Sequence, residues 1–411
     1  IAPDHHYLES WADASPKKGY YSLGQPTISP LFKTRQVIES LLKWSGNATD
    51  AYSYIQSLWK EDLFPSSGSA SFQAFWDAAL HDGVYETKSN AAESASFSYD
   101  LSSVVGAISN TYKANAGDIE YVIYEKVSMG TGSQSNNPWL QELPDPVTRA
   151  CWDNYVAVAP KFAAEKGLEQ NDIVKVDFKG GKSIELPVLI QPAQANNTVA
   201  IAIGYGREVT GKAGQNVGKN AYPLINVRDN TLQYSGVVTG IAKTGETRTI
   251  AQVQTHHTVM GRPIIQEATL ADYVKNPGAG RVYPKVATSE GPKDASQISI
   301  WNTKGLKTHT YANHFWGMVI DLNSCIGCGA CVISCQSENN VPVVGREEVI
   351  NRREMHWIRI DRYYSSDADP DNDSFGGLAA QEVASENPTV VFQPMMCQHC
   401  NNAPCETVCP V

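Results

Sequence analysis

Two runs of cysteine near one end of the chain constrain its fold more than any other feature. The first is Cys325-x2-Cys328-x2-Cys331-x3-Cys335, and the second is Cys397-x2-Cys400-x4-Cys405-x3-Cys409-Pro410. Of the 9 cysteines only Cys151 stands outside them. Three closely spaced thiolates on a tight loop grip three irons of a [4Fe–4S] cube. The fourth, at the start of the next helix, usually ligates a different cluster. Gly327 and Gly329 let the loop fold tightly and turn its N–H groups toward sulfur. Pro410 matches the usual end of such a run.

Other uses of cysteine fit poorly. Structural zinc takes pairs of cysteines about 12–20 residues apart. Disulfide frameworks belong to short secreted chains, whereas this one has 411 residues. Covalent haem needs Cys-x-x-Cys-His, and Gly329 and Asn401 stand where that histidine would be. All eight cysteines of the two runs are therefore candidate cluster ligands, and no catalytic residue is assigned.

The length suggests two or three domains with sizeable cores. Hydrophobic content of 42% and charged content of 18% are globular values. A net charge of −10 argues against nucleic acid or an anionic membrane surface as the main partner. No apolar run reaches the roughly 18 residues of a membrane span. The chain begins at Ile1 and stops two residues after Cys409, and we expect it to be a piece of a longer polypeptide.

The pattern predicts an α/β region over 1–137. Thr34 is expected to cap a helix with the apolar face Val37, Ile38, Leu41, Leu42 and Trp44. A second helix runs through Tyr54, Ile55, Leu58 and Trp59. A third starts near Ser71, carries Phe72, Phe75 and Trp76, and stops at Gly83. These stripes are expected in the core. His5 and His6 read as loop residues, and Gly130–Asn137 reads as a connector. Strands are predicted at 119–124, 155–159, 173–178, 183–190 and 198–203, with a helix from Pro160 to Gly167. Lys179-Gly180-Gly181-Lys182 is a hairpin turn. Over 138–250 this suits a small closed barrel.

Residues 251–308 read as a linker with Gly/Pro-rich breaks, and His256-His257 as ordinary histidines. A cluster domain is expected over 309–411. Strands at 316–322 and 356–363 are predicted within it, and a solvated acidic loop over 365–388. Cys151 is expected to be a buried core residue.

The stretch Trp316-Gly-Met-Val-Ile-Asp-Leu-Asn-Ser-Cys325-Ile-Gly-Cys328-Gly-Ala-Cys331, with Glu338-Asn-Asn-Val-Pro342 and Cys397-Gln-His-Cys400-x4-Cys405-Glu-x2-Cys409-Pro410, resembles the iron–sulfur subunits of complex iron–sulfur molybdoenzymes. Those include polysulfide, dimethyl sulfoxide and nitrate reductases. Arg149-x-Cys-Trp-Asp-Asn-Tyr155 through Ile203-Gly-Tyr-Gly206 and Asn220-Ala-Tyr-Pro-Leu224 resembles the C-terminal double-ψ barrel of the molybdopterin subunit. Both on one chain, in this order, resemble the fused iron–sulfur subunit of bacterial alternative complex III.

That resemblance implies an α+β multidomain fold: the C-terminal part of a molybdopterin-oxidoreductase-like region including a double-ψ barrel, then a ferredoxin-like [4Fe–4S] domain. It implies an electron relay from quinol to a c-type cytochrome on the periplasmic face of the bacterial inner membrane. The implied partners are a polytopic quinol-binding subunit, c-type cytochrome subunits and the remaining subunits of the complex. The implied cofactors are [4Fe–4S] clusters, with one [3Fe–4S] centre as an open alternative; neither molybdopterin nor haem is expected on this chain.

On the family's pairing, Cys325, Cys328 and Cys331 hold one cluster and Cys335 serves its neighbour. Cys397, Cys400 and Cys405 hold a third cluster, and Cys409 serves a fourth. If the two runs instead pair with each other, Cys325, Cys328, Cys331 and Cys409 share one cluster. Cys397, Cys400, Cys405 and Cys335 then share the other. The competing function is a molybdopterin-dependent oxidoreductase with a fused electron-transfer domain. A third reading makes residues 1–250 a scaffold for partner subunits.

Overall fold

The computed structural model describes residues 3–87, 96, 98–111, 118–228, 230–295, 298, 314, 317–372, 374–398, 400, 403, 405 and 408–410. The chain divides into two compact units, Ile1–Tyr112 and Lys113–Val411.

In the first unit β1 (Ala12–Lys17), β2 (Tyr20–Gly24) and β3 (Val84–Glu86) form an antiparallel sheet in that order. Between β2 and β3 come α1 (Val37–Trp44), α2 (Ala51–Leu58), a π-helical turn (Trp59–Leu63), α3 (Phe64–Ser67) and α4 (Phe72–Asp82). Ser71 caps α4 by accepting from the Ala74 N–H, and left-handed Gly83 ends it, as the sequence predicted. The core is aromatic: Trp59, Phe75 and Trp76 pack with Ile55, Leu63 and Leu23. The Trp59 indole N–H donates to Asp13 at 3.0 Å. The α1 expectation needs correction. Gln36, not Thr34, precedes the helix, and Asp4 accepts from the Val37 N–H. Val37, Leu41 and Trp44 are exposed, because the aromatic core is closed without α1, of which only Ser40 and Leu42 are buried. α5 (Leu101–Thr111) ends the unit.

The second unit is built on a closed six-stranded barrel. It contains β4 (Ile119–Tyr124), β5 (Val156–Val158), β6 (Asp172–Phe178), β7 (Lys182–Ile190), β8 (Thr198–Ala202) and, after a β9 (Asn226–Arg228) and β10 (Thr231–Gln233) hairpin, the long β11 (Ser235–Thr247). The circuit runs β11-β4-β8-β5-β7-β6 and back to β11. The β4–β8 and β5–β7 pairs are parallel and the others antiparallel. Alternating residues of β6, Val174, Val176 and Phe178, point inward to meet Ile184, Leu186, Val199 and Ile201. Each such side chain stabilises by about 1.5–3 kcal/mol on burial, so a one-residue slip is heavily penalised. Two short helices flank the barrel strands: α6 (Pro138–Glu142), and α7 (Pro160–Lys166) with Pro160 first and Gly167 as its left-handed cap.

The boundary expected at 137/138 falls inside this barrel, because β4 hydrogen-bonds between β8 and β11. The expected linker also begins differently. Ala251, Gln254 and Thr258 are buried, and the Cys151 N–H donates to the Ala251 carbonyl at 2.9 Å. Then come α8 (Leu270–Lys275) and a small β12 (Lys285–Val286) and β13 (Lys293–Asp294) hairpin.

The cysteine-bearing part contains α9 (Ala330–Glu338), α10 (Arg346–Ile350), β14 (Ile358–Tyr364), α11 (Phe375–Gln381) and β15 (Val390–Met396). β14 and β15 pair antiparallel from Ile358↔Met396 to Tyr364↔Val390. The strand predicted at 316–322 is absent among its described residues, where Met318, Val319 and Leu322 are exposed. The β14–β15 ribbon is two-stranded and does not extend to this stretch. The acidic loop contains α11, capped by Ser374. Asp373 and Trp316 lie outside the described residues.

Candidate iron–sulfur site

Cys325 and Cys328 lie on the loop before α9, Cys331 in its first turn, and Cys335 one turn later. Two glycines make the loop possible. Gly327 has φ +69° and Gly329, the residue before α9, has φ +76°. Both are left-handed positions, where a side chain costs about 1–2 kcal/mol. Both also have no room. A Cβ on Gly327 would meet the Phe392 ring at 2.6 Å, and one on Gly329 would meet Leu143 Cδ1 at 2.9 Å. Phe392 comes from β15 and Leu143 from the end of α6. With Val332 and Ile360 they form one small apolar cluster beneath the loop.

The sulfurs of Cys325, Cys328, Cys331 and Cys335 are thiols rather than disulfides. Burial pushes the Cys331 thiol pKa up. The charges of Cys328 and Cys325 push it the same way. Losing three protons at one place is unfavourable without a cation, and iron supplies that positive charge. The Asn339 amide lies 3.6 Å from Cys335 Sγ and also donates to the Cys335 carbonyl at 3.0 Å. An N–H directed at sulfur is the kind of outer contact that orients a ligand. The first run therefore fits a cluster by its donor set and its glycine loop.

Cys397, Cys400, Cys405 and Cys409 are exposed. Among the described residues no three Cys, His, Asp or Glu side chains stand in metal-holding geometry. Residues 399, 401, 402, 404, 406, 407 and 411 lie outside the described set. Cys151, expected in the core, is buried there, with its Sγ 3.6 Å from the Ala251 carbonyl. Burial and then the Glu142 charge push its thiol pKa far up, so it stays protonated.

A latch ties the cysteine module to the barrel wall. Glu142, buried at the end of α6, accepts from the Gly345 N–H at 2.8 Å, the Val344 N–H at 3.2 Å and the Trp152 indole at 3.3 Å. Asp153, 3% exposed, holds Arg346 at 2.6 Å and Arg248 at 3.1 Å. The Trp139 indole donates to the Val341 carbonyl at 2.9 Å. From β14 the buried Arg362 donates to the carbonyls of Val147 at 2.8 Å and His256 at 2.9 Å, and lies 3.1 Å from His257 Nδ1. Burial, Arg362 and His256 together lower the His257 pKa to about 4. His257 is thus a neutral acceptor for Arg362.

Sequence reasoning missed the residues that seat the loop: Leu143, Phe392, Glu142, Asp153 and Arg362. The one local signal was Asp361 and Arg362 lying side by side between Ile360 and the Tyr363-Tyr364 pair. Charges inside an apolar and aromatic stretch need partners from elsewhere.

Residues 324–411 match the family described as a 4Fe-4S dicluster domain. The C-terminal part of the chain is an iron–sulfur domain. Curated relatives include the iron-sulfur cluster-binding subunit of a menaquinone reductase from Nitratidesulfovibrio vulgaris, 32% identical over 97 residues, covering 23% of this chain and 31% of that protein. An iron-sulfur subunit of a putative dimethyl sulfoxide reductase from Halobacterium salinarum is 35% identical over 101 residues, covering 23% and 31%. A tetrathionate reductase subunit from Salmonella typhimurium is 32% identical over 98 residues, covering 24% and 29%. The chain thus spans under a third of the length of these relatives. Among solved structures, acetylene hydratase from Pelobacter acetylenicus is 14% identical, covers 59% of this chain and 38% of its own, and has a TM-score of 0.39.

Proposed function

We propose that this chain is the electron-transfer iron–sulfur subunit of a membrane-associated respiratory complex of the alternative complex III type. It relays electrons from quinol to a c-type cytochrome at the periplasmic face of the inner membrane. Its partners are a polytopic quinol-binding subunit and cytochrome subunits. One observation carries the reading: the cysteine loop of a dicluster module is seated on Leu143 and latched through Glu142 and Asp153 to a barrel that is part of the same body. Relatives named as iron–sulfur subunits of reductases, one of them a menaquinone reductase, support it.

The barrel's two parallel pairs, β4–β8 and β5–β7, support its assignment as a double-ψ barrel, and in this reading it serves as scaffold without molybdenum. The ligands are Cys325, Cys328, Cys331, Cys335, Cys397, Cys400, Cys405 and Cys409. When bound, the clusters supply one-electron storage. The residues of the chain place the first four cysteines on one glycine loop and the helix after it, set the Asn339 amide against Cys335 Sγ and keep the Gly327–Gly329 side of the loop covered.

The test is iron, molybdenum and tungsten analysis of the native assembly, with low-temperature EPR of oxidised and reduced samples. We expect about fifteen or sixteen irons per chain from four clusters and no molybdenum. Stoichiometric molybdenum or tungsten overturns the scaffold role in favour of a molybdopterin oxidoreductase. About eight irons overturns the four-cluster arrangement in favour of the cross-paired ligand set.

A further inference from the structure

Against the cysteine loop lies a narrow cleft of about 10 Å³ whose walls include Leu143, Arg149, Gly327, Gly329, His356 and Ile360. That is the lower limit for one water molecule, so bulk solvent does not screen what faces it. Arg149 is only 4% exposed. Its backbone is left-handed at φ 59° and is pinned there: its N–H donates to the Asp145 carbonyl at 3.0 Å and its carbonyl accepts from the Val253 N–H at 3.1 Å. Its Nη1 reaches the Asp145 carbonyl only at 3.5 Å, and its buried Nε has no partner. Burial pulls its pKa down to about 10, which leaves it charged at neutral pH.

The nearby carboxylates are already committed. Asp361 accepts from Arg359 Nε at 3.1 and 3.2 Å, and Asp145 accepts from the Val147 and Thr148 N–H groups and the Thr148 hydroxyl. Three guanidiniums, Arg149, Arg359 and Arg362, thus stand with two carboxylates, Asp145 and Asp361. A strained, buried guanidinium with an orphan donor needs a reason to be there. The wall of its cleft is the loop on which negative charge accumulates.

We propose that Arg149 is the buried counter-charge of the cluster held on the Cys325–Cys331 loop and sets that cluster's reduction potential above what the loop alone would give. The proposal rests on the electron-relay reading. Each electron received from the quinol side adds one negative charge at the loop, with no proton taken up. A fixed positive charge across Gly327 and Gly329 favours that reduced state.

The experiment is EPR-monitored redox titration of the intact complex carrying Arg149→Met, Arg149→Lys or Asp361→Asn. Iron is assayed first in every preparation. The cluster on the loop is identified as the signal altered by Cys328→Ser. In Arg149→Met we expect the reduction equilibrium of that cluster to fall at least tenfold, which is 59 mV for a one-electron couple. The other clusters stay unchanged, and Arg149→Lys stays close to the native value. Asp361→Asn, which removes a negative charge, shifts the same cluster upward. Full iron with every potential unchanged in Arg149→Met overturns the proposal. Where Arg149→Met retains too little iron to titrate, Asp361→Asn decides: an upward shift confined to that cluster supports the proposal, and no shift overturns it. Absence of iron from the unsubstituted complex overturns the proposed function itself.

Discussion

Gly327→Ala tests the seating of the cysteine loop most directly. The new methyl group meets Phe392 Cδ1 and Cε1 at 2.6 Å in a backbone with φ +69°. The left-handed conformation costs about 1–2 kcal/mol for alanine. Carbon atoms prefer about 3.5–4.0 Å, and forcing an extra methyl into a filled site costs about 1–3 kcal/mol. The sum is about 2–5 kcal/mol. Gly167→Ala isolates the backbone term, because Gly167 has φ +62° with nothing within 4 Å of the added carbon. It should cost only about 1–2 kcal/mol. Combining Gly327→Ala with Phe392→Leu removes part of the overlap, so the pair should be non-additive by about 0.5–3 kcal/mol. Urea unfolding of the iron-loaded protein gives these differences as midpoint shifts at constant slope, and iron content reports the consequence for the site. Gly327→Ala costing no more than Gly167→Ala, or strict additivity with Phe392→Leu, would refute the reasoning.

Two further expectations concern single groups. The His257 pKa lies at about 4 in the folded chain against an ordinary 6.5. Between those values the unfolded state takes up a proton that the folded state refuses, so the stability contribution is full above about pH 6.5 and is lost as pH falls toward 4. His257→Asn should flatten that part of the stability profile, measured by urea midpoints across the window; an unchanged slope rejects the assignment. Cys151→Ser should leave iron content at the native level, because that thiol is buried and protonated, whereas Cys328→Ser should lower it. Equal loss in both would contradict the ligand assignment.

Much of the local structure was legible in the sequence, because its causes are local. Ser71 and Gly83 bracket α4, Pro160 and Gly167 bracket α7, and the Gly180-Gly181 turn joins β6 to β7. The cysteine spacing gave the chemistry of the site for the same reason. What was not legible depends on distant partners. The exposure of Val37, Leu41 and Trp44 is set by a core that closes without them. The apolar run at 317–322 has strand composition but pairs with no strand among the described residues. The placing of β4 in the barrel needed the register of β8 and β11. Arg362 and Glu142 look like surface charges until the carbonyls and N–H groups they satisfy are found more than a hundred residues away.

The bed of the cysteine loop also orders events during synthesis. Leu143 lies upstream of the loop and Phe392 well downstream, and both must be in place before Gly327 and Gly329 are covered. The barrel that carries Leu143 closes only when β11 pairs with both β4 and β6. All of these strands precede the loop in the chain, but Phe392 follows it, so the first four cysteines leave the ribosome before their seat is complete. Iron delivered early would meet thiols on a loop without its packing. The bed is complete only once β15 has paired with β14, so the last piece set against the loop is the strand that leads into the second cysteine run.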